Sequence, residues 1–403
     1  MNAALKFDNP VEYIRSFHQE LAGIRQDIHA HPELGYNEQR TSDLVAAKLQ
    51  SWGVDVHRGI AKTGLVGVVK GRKSASGRAI GLRADMDCLP MHETGDKPYK
   101  STNAGCMHAC GHDGHTTMLL GAARYLAETR NFDGTAYVIF QPAEEGGGGG
   151  RMMIEEGLFE RFPVNEIYAL HNWPLLPPGK IAARSGPILA AADQIQITVR
   201  GKGGHAALPH LAVDPVVISA HIITALQTIA SRNANPVDAL VVSICSMETS
   251  QVGVFNVIPD AVKLAGTVRS FRPETRDLAE ERVRAIAASV AAALGGSAEV
   301  EYRRGYPATV NSESEARFAA KVGEKIFGKD NVETAGEPSM GAEDFAYMLQ
   351  ARPGAYVLLG QGGSELGCFL HNPIYDFNDE VIPLGAGYLA ALVEESLPIT
   401  QAN

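Results

Sequence analysis

Between Leu21 and Trp52 the apolar positions recur at helical spacing: Leu21, Ile24 and Ile28, then Leu44, Val45 and Leu49. His31-Pro-Glu-Leu-Gly35 breaks the pattern, so two helices are expected with a turn between them. Short β-rich runs follow at 65–69 and 79–82, and 116–126 is again apolar at helical spacing. The runs at 136–140 and 166–170 are short, apolar and bounded by turn residues, as buried strands are. Strands alternating with helices predict an α/β domain whose mixed, largely parallel sheet is flanked by helices.

The texture changes near residue 185. Gln194–Val199 alternates polar and apolar positions, the pattern of a half-buried antiparallel strand. A helix is expected over 215–232, strands over 239–245 and 261–268, an alanine-rich helix over 275–294 and a strand over 298–302. The order β-α-β-β-α-β is the ferredoxin-like arrangement. After residue 306 the α/β texture returns. The expected organisation is a discontinuous catalytic domain, 1–185 and 306–403, with an α+β module inserted over 186–305.

Charge and composition narrow the function classes. The 403 residues carry 36 basic and 46 acidic side chains, a net charge of −10, with no basic run. That disfavours phosphate-backbone binding, so no nucleic-acid partner is expected. No stretch of about 18 apolar residues occurs, so no membrane partner is expected either. The first ten residues show no charged-then-apolar leader pattern. Five cysteines, Cys88, Cys106, Cys110, Cys245 and Cys368, fit a reducing cytoplasm better than a disulfide framework.

The densest reactive segment is Cys106-Met-His-Ala-Cys-Gly-His-Asp-Gly-His115. Cys106 and Cys110 have the spacing of half a structural zinc site, but no second cysteine pair follows. A redox dithiol would favour C-x-x-C, which is absent. The third reading is a catalytic metal site. Cys110 immediately precedes an expected helix start, where the thiolate that binds metal is favoured, and His112 can reach the same cavity. His108 and His115 read as surface or outer-layer histidines.

A second constellation is Ile139-Phe-Gln-Pro-Ala-Glu-Glu-Gly-Gly-Gly-Gly-Gly150. Two carboxylates end a buried strand, where ligands of open α/β sheets sit. One, Glu145 or Glu144, can bind metal while the other takes a proton. The glycines lack the G-x-x-x-x-G-K-[ST] pattern of a phosphate cradle and read as a flexible or close-packed loop. His171, in Tyr168-Ala-Leu-His-Asn-Trp-Pro174, follows an apolar strand, and His371, in Phe369-Leu-His-Asn-Pro373, is expected to do likewise. Asp85 and Asp87 follow a strand on one face, and either can orient a ligand histidine. The chain has no G-x-S-x-G elbow, no H-E-x-x-H helix and no G-x-G-x-x-G opening a helix after the first strand.

Together these segments resemble the two-metal amidohydrolase and exopeptidase family of aminoacylases and glutamate-releasing carboxypeptidases. The likeness is closest to its branch of hippurate hydrolases, N-acyl-amino-acid amidohydrolases and auxin-conjugate hydrolases. It rests on HAHPELGYNE, LRADMDCLPM, MHACGHDGHT, FQPAEEGGGGG, ALHNWP, GKGGHAALPH, NVIPD, GTVRSF, SMGAEDFAY and LHNPIYDFND, in that order, over nearly the whole chain.

The resemblance implies a metal-dependent hydrolase that cleaves the amide of N-acyl or N-aroyl amino acids. It implies two divalent cations per subunit, zinc, manganese, nickel or cobalt. Cys110 matches the bridging ligand of the branch; His112, Glu145, His171 and His371 match the others. Asp85 stands where the wider family has a histidine ligand. Glu144 looks like the general base, and Asp87 matches the aspartate that orients a ligand histidine. The inserted module is similar to the family's lid, which also carries the dimer contact, so a homodimer or larger homo-oligomer is implied. His205 resembles the lid histidine that reaches a partner's active site, and Asn256 and Arg269 match residues that bind the substrate carboxylate. Cys88 stands where alanine is frequent. The rival enzyme reading is a dipeptidase or carboxypeptidase on the same scaffold, for which Glu343 and Asp344 are available as partners of a substrate amine. A catalytically silent binding protein is the rival from another class.

Overall fold

The computed structural model describes residues 9–364 and 369–399. Residues 1–8 and Cys368 lie outside the described residues. The chain separates into two compact units. The first holds residues up to Ile188, Val310–Glu337 and Asp344 onwards; the second holds Leu189–Thr309 with Pro338–Glu343.

The first unit is built on an eight-stranded mixed sheet. Its strand order is Asp55–Ile60, Gly64–Lys70, Thr135–Gln141, Ala79–Asp85, Glu166–Trp173, Gly354–Gly360, Ile181–Ala182 and Val332–Glu333. The central strands Thr135–Gln141, Ala79–Asp85, Glu166–Trp173 and Gly354–Gly360 run parallel to one another. Ala79–Asp85 and Gly354–Gly360 are buried along their whole length, which is why they read as apolar runs without alternation. The two N-terminal helices are His18–Ala30 and Gln39–Ser51. They share one apolar cluster with the helices His112–Thr129, Glu313–Phe327 and Ile382–Ser396 and with the sheet. Because the four central strands are parallel, their carboxyl ends share one edge, and the segments leaving that edge carry the candidate ligands.

The second unit is a four-stranded antiparallel sheet, ordered Leu240–Thr249, Ala261–Ser270, Ala191–Arg200 and Ser297–Arg304. Helices Pro215–Thr228 and Pro273–Ala293 cover it, and Ile195, Ile197, Val199, Ile218, Ile222, Val242, Leu264 and Val283 form its core. Along Ala191–Arg200 every second residue is buried, the consequence of a pleated strand with one face on the core. A small antiparallel pair, Gly204–His205 with Val257–Ile258, lies outside the main sheet. No helix among the described residues is long and apolar enough to cross a membrane.

Candidate metal centre

Helix His112–Thr129 begins where its sequence allows a tight approach. Gly111 caps it with φ +98, and a Cβ there would lie 2.2 Å from Asn172 Oδ1. Only glycine lets the chain turn this close to the neighbouring strand end. The turn sets Cys110 and His112 beside His171, which lies within strand Glu166–Trp173 rather than beyond it. Cys110 Sγ is 3.4 Å from His171 Nε2.

The two buried histidines present the same atom to this place. His112 Nδ1 donates to the Asp87 carbonyl at 2.9 Å and faces the Asp87 carboxylate at 3.2 Å. Its Nε2 is buried and makes no hydrogen bond. His171 Nδ1 donates to the Asn172 carbonyl at 2.7 Å, leaving Nε2 toward Cys110. An imidazole whose Nδ1–H is held by an oxygen and whose Nε2 is bare is set up as a metal ligand. Asp87 does more than hold His112: its second oxygen accepts from the backbone N–H of Glu145 at 2.9 Å.

The carboxylates arrive from strand Thr135–Gln141. Ala143, at φ +51, turns the chain, and Glu144 and Glu145 follow. Glu144 is buried and accepts from the Asp344 backbone N–H at 3.4 Å. Glu145 Oε1 is buried, has no hydrogen-bond donor and lies 3.2 Å from His371 Nε2. Gly146 is open, whereas Gly147, Gly149 and Gly150 are close-packed, and the last two open a helix, Gly149–Glu155: a Cβ on Gly149 would sit 1.7 Å from the Pro142 carbonyl oxygen.

His371 corrects the sequence expectation. Strand Gly354–Gly360 ends eleven residues before it, so it does not follow a strand directly. It sits in a loop at φ +62, pinned by its N–H to the Ala109 carbonyl at 2.7 Å. That bond ties it to the Cys110 segment. His371 is the exposed member of the cluster, and its proximity to Cys110 and Glu145 pushes its imidazole up to about 10.

These side chains converge in overlapping groups: Cys110 with His112 and His171, Cys110 with Glu145 and His371, and His112 with Glu144 and Glu145, the ligand atoms of each within 4.8 Å of one another. Cys110 is shared by the first two. A thiolate, three imidazoles and carboxylates, with bare buried donor atoms, fit divalent metal ions.

Two expectations change. His108 and His115 are both buried, not at the surface. His115 Nδ1 lies 2.6 Å from Asp85 and its Nε2 2.6 Å from Asn172 Oδ1, while both ring nitrogens of His108 lack a hydrogen-bond partner. The helix start also does not lower the Cys110 thiol by itself. Burial pushes it up, and the nearby Glu145 carboxylate adds to this, so a cation is what would stabilise the thiolate. For His112, burial opposes the charge, yet Asp85 and Cys110 hold the imidazole well above its ordinary value. For His171, burial and then His115 hold it well below, in the neutral form that binds metal.

The layer behind the ligands was not singled out from the sequence. Arg83 is fully buried and donates to Asp85 at 2.7 Å, Gln141 at 2.9 Å and Asp344 at 3.1 Å. Gln141 and the N–H of Gly150 also donate to Asp344, at 2.6 and 2.8 Å. Asp344 is thus committed to Arg83 and is not a free partner for a substrate amine. Asn172 donates to Tyr375 Oη at 2.7 Å. The available signal was an arginine inside the apolar strand Ala79–Asp85, where an unpaired charge would be untenable.

Residues 81–395 match the model of peptidase family M20/M25/M40. The chain belongs to this family. Among its M20 relatives, hippurate hydrolase of Campylobacter jejuni subsp. jejuni is 41% identical over 384 residues, 95% of this chain and 98% of the relative. IAA-amino acid hydrolase ILR1-like 5 of Arabidopsis thaliana is 39% identical over 391 residues, 94% and 87% of the two chains. The solved structure of the Bacillus subtilis YXEP protein, described as a dinuclear metal binding peptidase of the M20 family, has a TM-score of 0.81 at 32% identity and covers 95% of this chain and 99% of that one.

The other expected site residues of this M20 chain belong to the second unit, together with Glu343. His205 and Asn256 come together there: His205 pairs with Val257, and Ala206 N donates to the Asn256 carbonyl at 3.0 Å. Both side chains are exposed. Arg269 lies opposite Ala192, while Ala261 lies opposite Arg200. Eight residues of strand separate Arg269 from Ala261, about 26 Å at the usual rise. Arg269 and Ala261 thus lie at opposite ends of one strand, while His205 and Asn256 belong to the separate small pair.

Proposed function

We propose that this protein hydrolyses the amide bond of N-acyl or N-aroyl amino acids, releasing a carboxylic acid and a free amino acid. The observation that carries this reading is the convergence of Cys110, His112, His171, Glu145 and His371 around a shared thiol, with Glu144 beside them. The similarity to a hippurate hydrolase and to an IAA-amino acid hydrolase supports the substrate class.

Cys110, Glu145, His112, His171 and His371 would hold two divalent cations, with zinc, manganese, nickel and cobalt all suited to the donor set. When bound, such ions lower the pKa of a water and polarise a carbonyl. Glu144, buried at the mouth of its strand, takes the proton from the attacking water at its carboxylate. It returns that proton to the leaving nitrogen as the amide collapses. Asp87 fixes the His112 ring and the Glu145 backbone at once, so ligand and base keep their separation. Burial around Glu144 excludes competing water.

In this reading the enzyme is a cytoplasmic homodimer of aminoacylase type, its second unit serving as lid and dimer contact. His205 donates to the developing oxyanion of a substrate bound by the partner subunit. Asn256 accompanies it, and Arg269 holds the substrate carboxylate through its guanidinium fork.

The test is hydrolysis of hippurate, N-acetyl amino acids and dipeptides by chelator-stripped enzyme with single metals restored, beside Glu144→Gln. Metal-restored cleavage of acyl amino acids, lost in the variant, is the expected result. Cleavage of dipeptides alone would assign the peptidase activity instead, and binding of acyl amino acids without turnover a silent binding protein.

A further inference from the structure

Cys88 and Cys106 take no part in the site above, yet the fold brings them together beside it. Leu89 and Met107 exchange both backbone hydrogen bonds, at 3.0 and 3.1 Å, as an isolated antiparallel bridge. Cys88 and Cys106 flank that bridge on its opposite face as diagonal neighbours, a spacing of about 7–8 Å that a disulfide can close only if the backbone moves. Burial first, and then the Cys106 thiol beside it, push the Cys88 thiol up. Cys88 is buried, whereas Cys106 is partly open. Their chain positions are consequential. Cys88 directly follows Asp87, which holds both His112 and Glu145. Cys106 begins the short segment that leads to Cys110.

We propose that Cys88 and Cys106 form a reversible intramolecular disulfide under peroxide, and that this bond disables the neighbouring metal centre. Cys106, the open thiol, attacks hydrogen peroxide; the O–O bond breaks, an S–O bond forms and the other oxygen leaves as water. Cys88 Sγ then attacks Cys106 Sγ; the S–S bond forms, the S–O bond breaks, and a second water carries away the Cys88 proton. Two thiols lose two electrons and two protons, and one peroxide becomes two waters. Closing from thiol contact to a bond of about 2.05 Å shifts the backbone on both sides. One side is the Asp87 hinge, where a misplacement of about 1 Å can cost about 10²-fold in rate. Pairing also uses the accessible thiol before Cys110 is exposed to oxidant.

The measurement is non-reducing peptide mass mapping of the metal-loaded protein after graded hydrogen peroxide, with hydrolysis followed in parallel. The expected result is a linked peptide pair containing Cys88 and Cys106, at least a tenfold fall in activity, and recovery of both after thiol reductant. Cys88→Ala should keep full basal activity, form no such link and lose activity at a higher peroxide dose. The proposal is overturned if the peptides stay unlinked while Cys106 is oxidised, or if Cys88→Ala is inactivated at the same dose as the parent. The mass readout does not depend on the substrate, so failure of the hydrolase reading and failure of this one are separable.

Discussion

The metal centre of the first unit and the candidate substrate residues of the second are built by opposite means. Around Cys110 nearly every donor is buried, and each is positioned by another: Asp87 by its two contacts, His171 by its own strand, His371 by the Ala109 carbonyl. His205 and Asn256 project from a two-residue strand pair into solvent, and Phe255 beside them is 98% exposed. Packing prepays the geometry in the first region. In the second the residues are left open, as they must be if they act on something arriving from outside their own unit.

The largest expected effect breaks the rigid side. Glu144→Gln should lower kcat by about 10²–10⁴-fold, the range of a positioned general base, with bound metal unchanged. Steady-state kinetics with metal analysis on the same preparation checks it; a loss of metal would instead assign Glu144 as a ligand.

His205→Ala probes the open side. Removing one oxyanion donor should cost about 10²–10³-fold in kcat without altering metal content. Mixing it with Glu144→Gln subunits should restore part of the activity, because one partner supplies the base and the other the histidine. Absence of recovery in verified mixed dimers would place His205 in its own subunit's chemistry.

Asp87→Asn sharpens the contrast by touching no ligand atom. Loss of its charge against His112 should weaken metal binding by about 10–100-fold, read by competitive chelation. The equivalent loss at an exposed second-unit residue should leave metal affinity intact.

The smallest effect is a pH dependence. The His371 imidazole is held up to about 10 by Cys110 and Glu145, so it is protonated at neutral pH in the metal-free protein. Metal displaces that proton. Affinity should therefore climb with pH by about tenfold per unit for each proton displaced, and more than one is, because burial also keeps the Cys110 thiol protonated. Chelator titrations at several pH values test the slope, and His371→Ala should make it shallower by one proton while the Cys110 thiol keeps the rest.

Periodicity reached the architecture because core faces impose it. The two helices about His31–Gly35, the α/β alternation and the antiparallel alternation of Ala191–Arg200 all follow from which side chains must be buried. The candidate ligands were legible because reactive residues cluster at the ends of apolar runs. The His371 loop was misread, since Phe369-Leu370 imitates the end of a strand while the actual strand stops at Gly360. The surface reading of His108 and His115 falls and the outer-layer one is left, because a histidine carries no local mark of burial. The Arg83–Asp85–Gln141–Asp344 network was missed because its members lie up to 261 residues apart.

What the sequence by itself determined was the set of elements, the residue types available for metal chemistry and the family pattern in which they occur. These are local properties, fixed by spacing and side-chain identity. Tertiary structure alone decided that His112 and His171 both turn Nε2 toward one thiol. It also decided that burial raises the Cys110 thiol against the helix start, and that Cys88 meets Cys106. Orientation, desolvation and contact between distant segments are set by how the strands register in the folded sheet, which no single stretch of chain encodes.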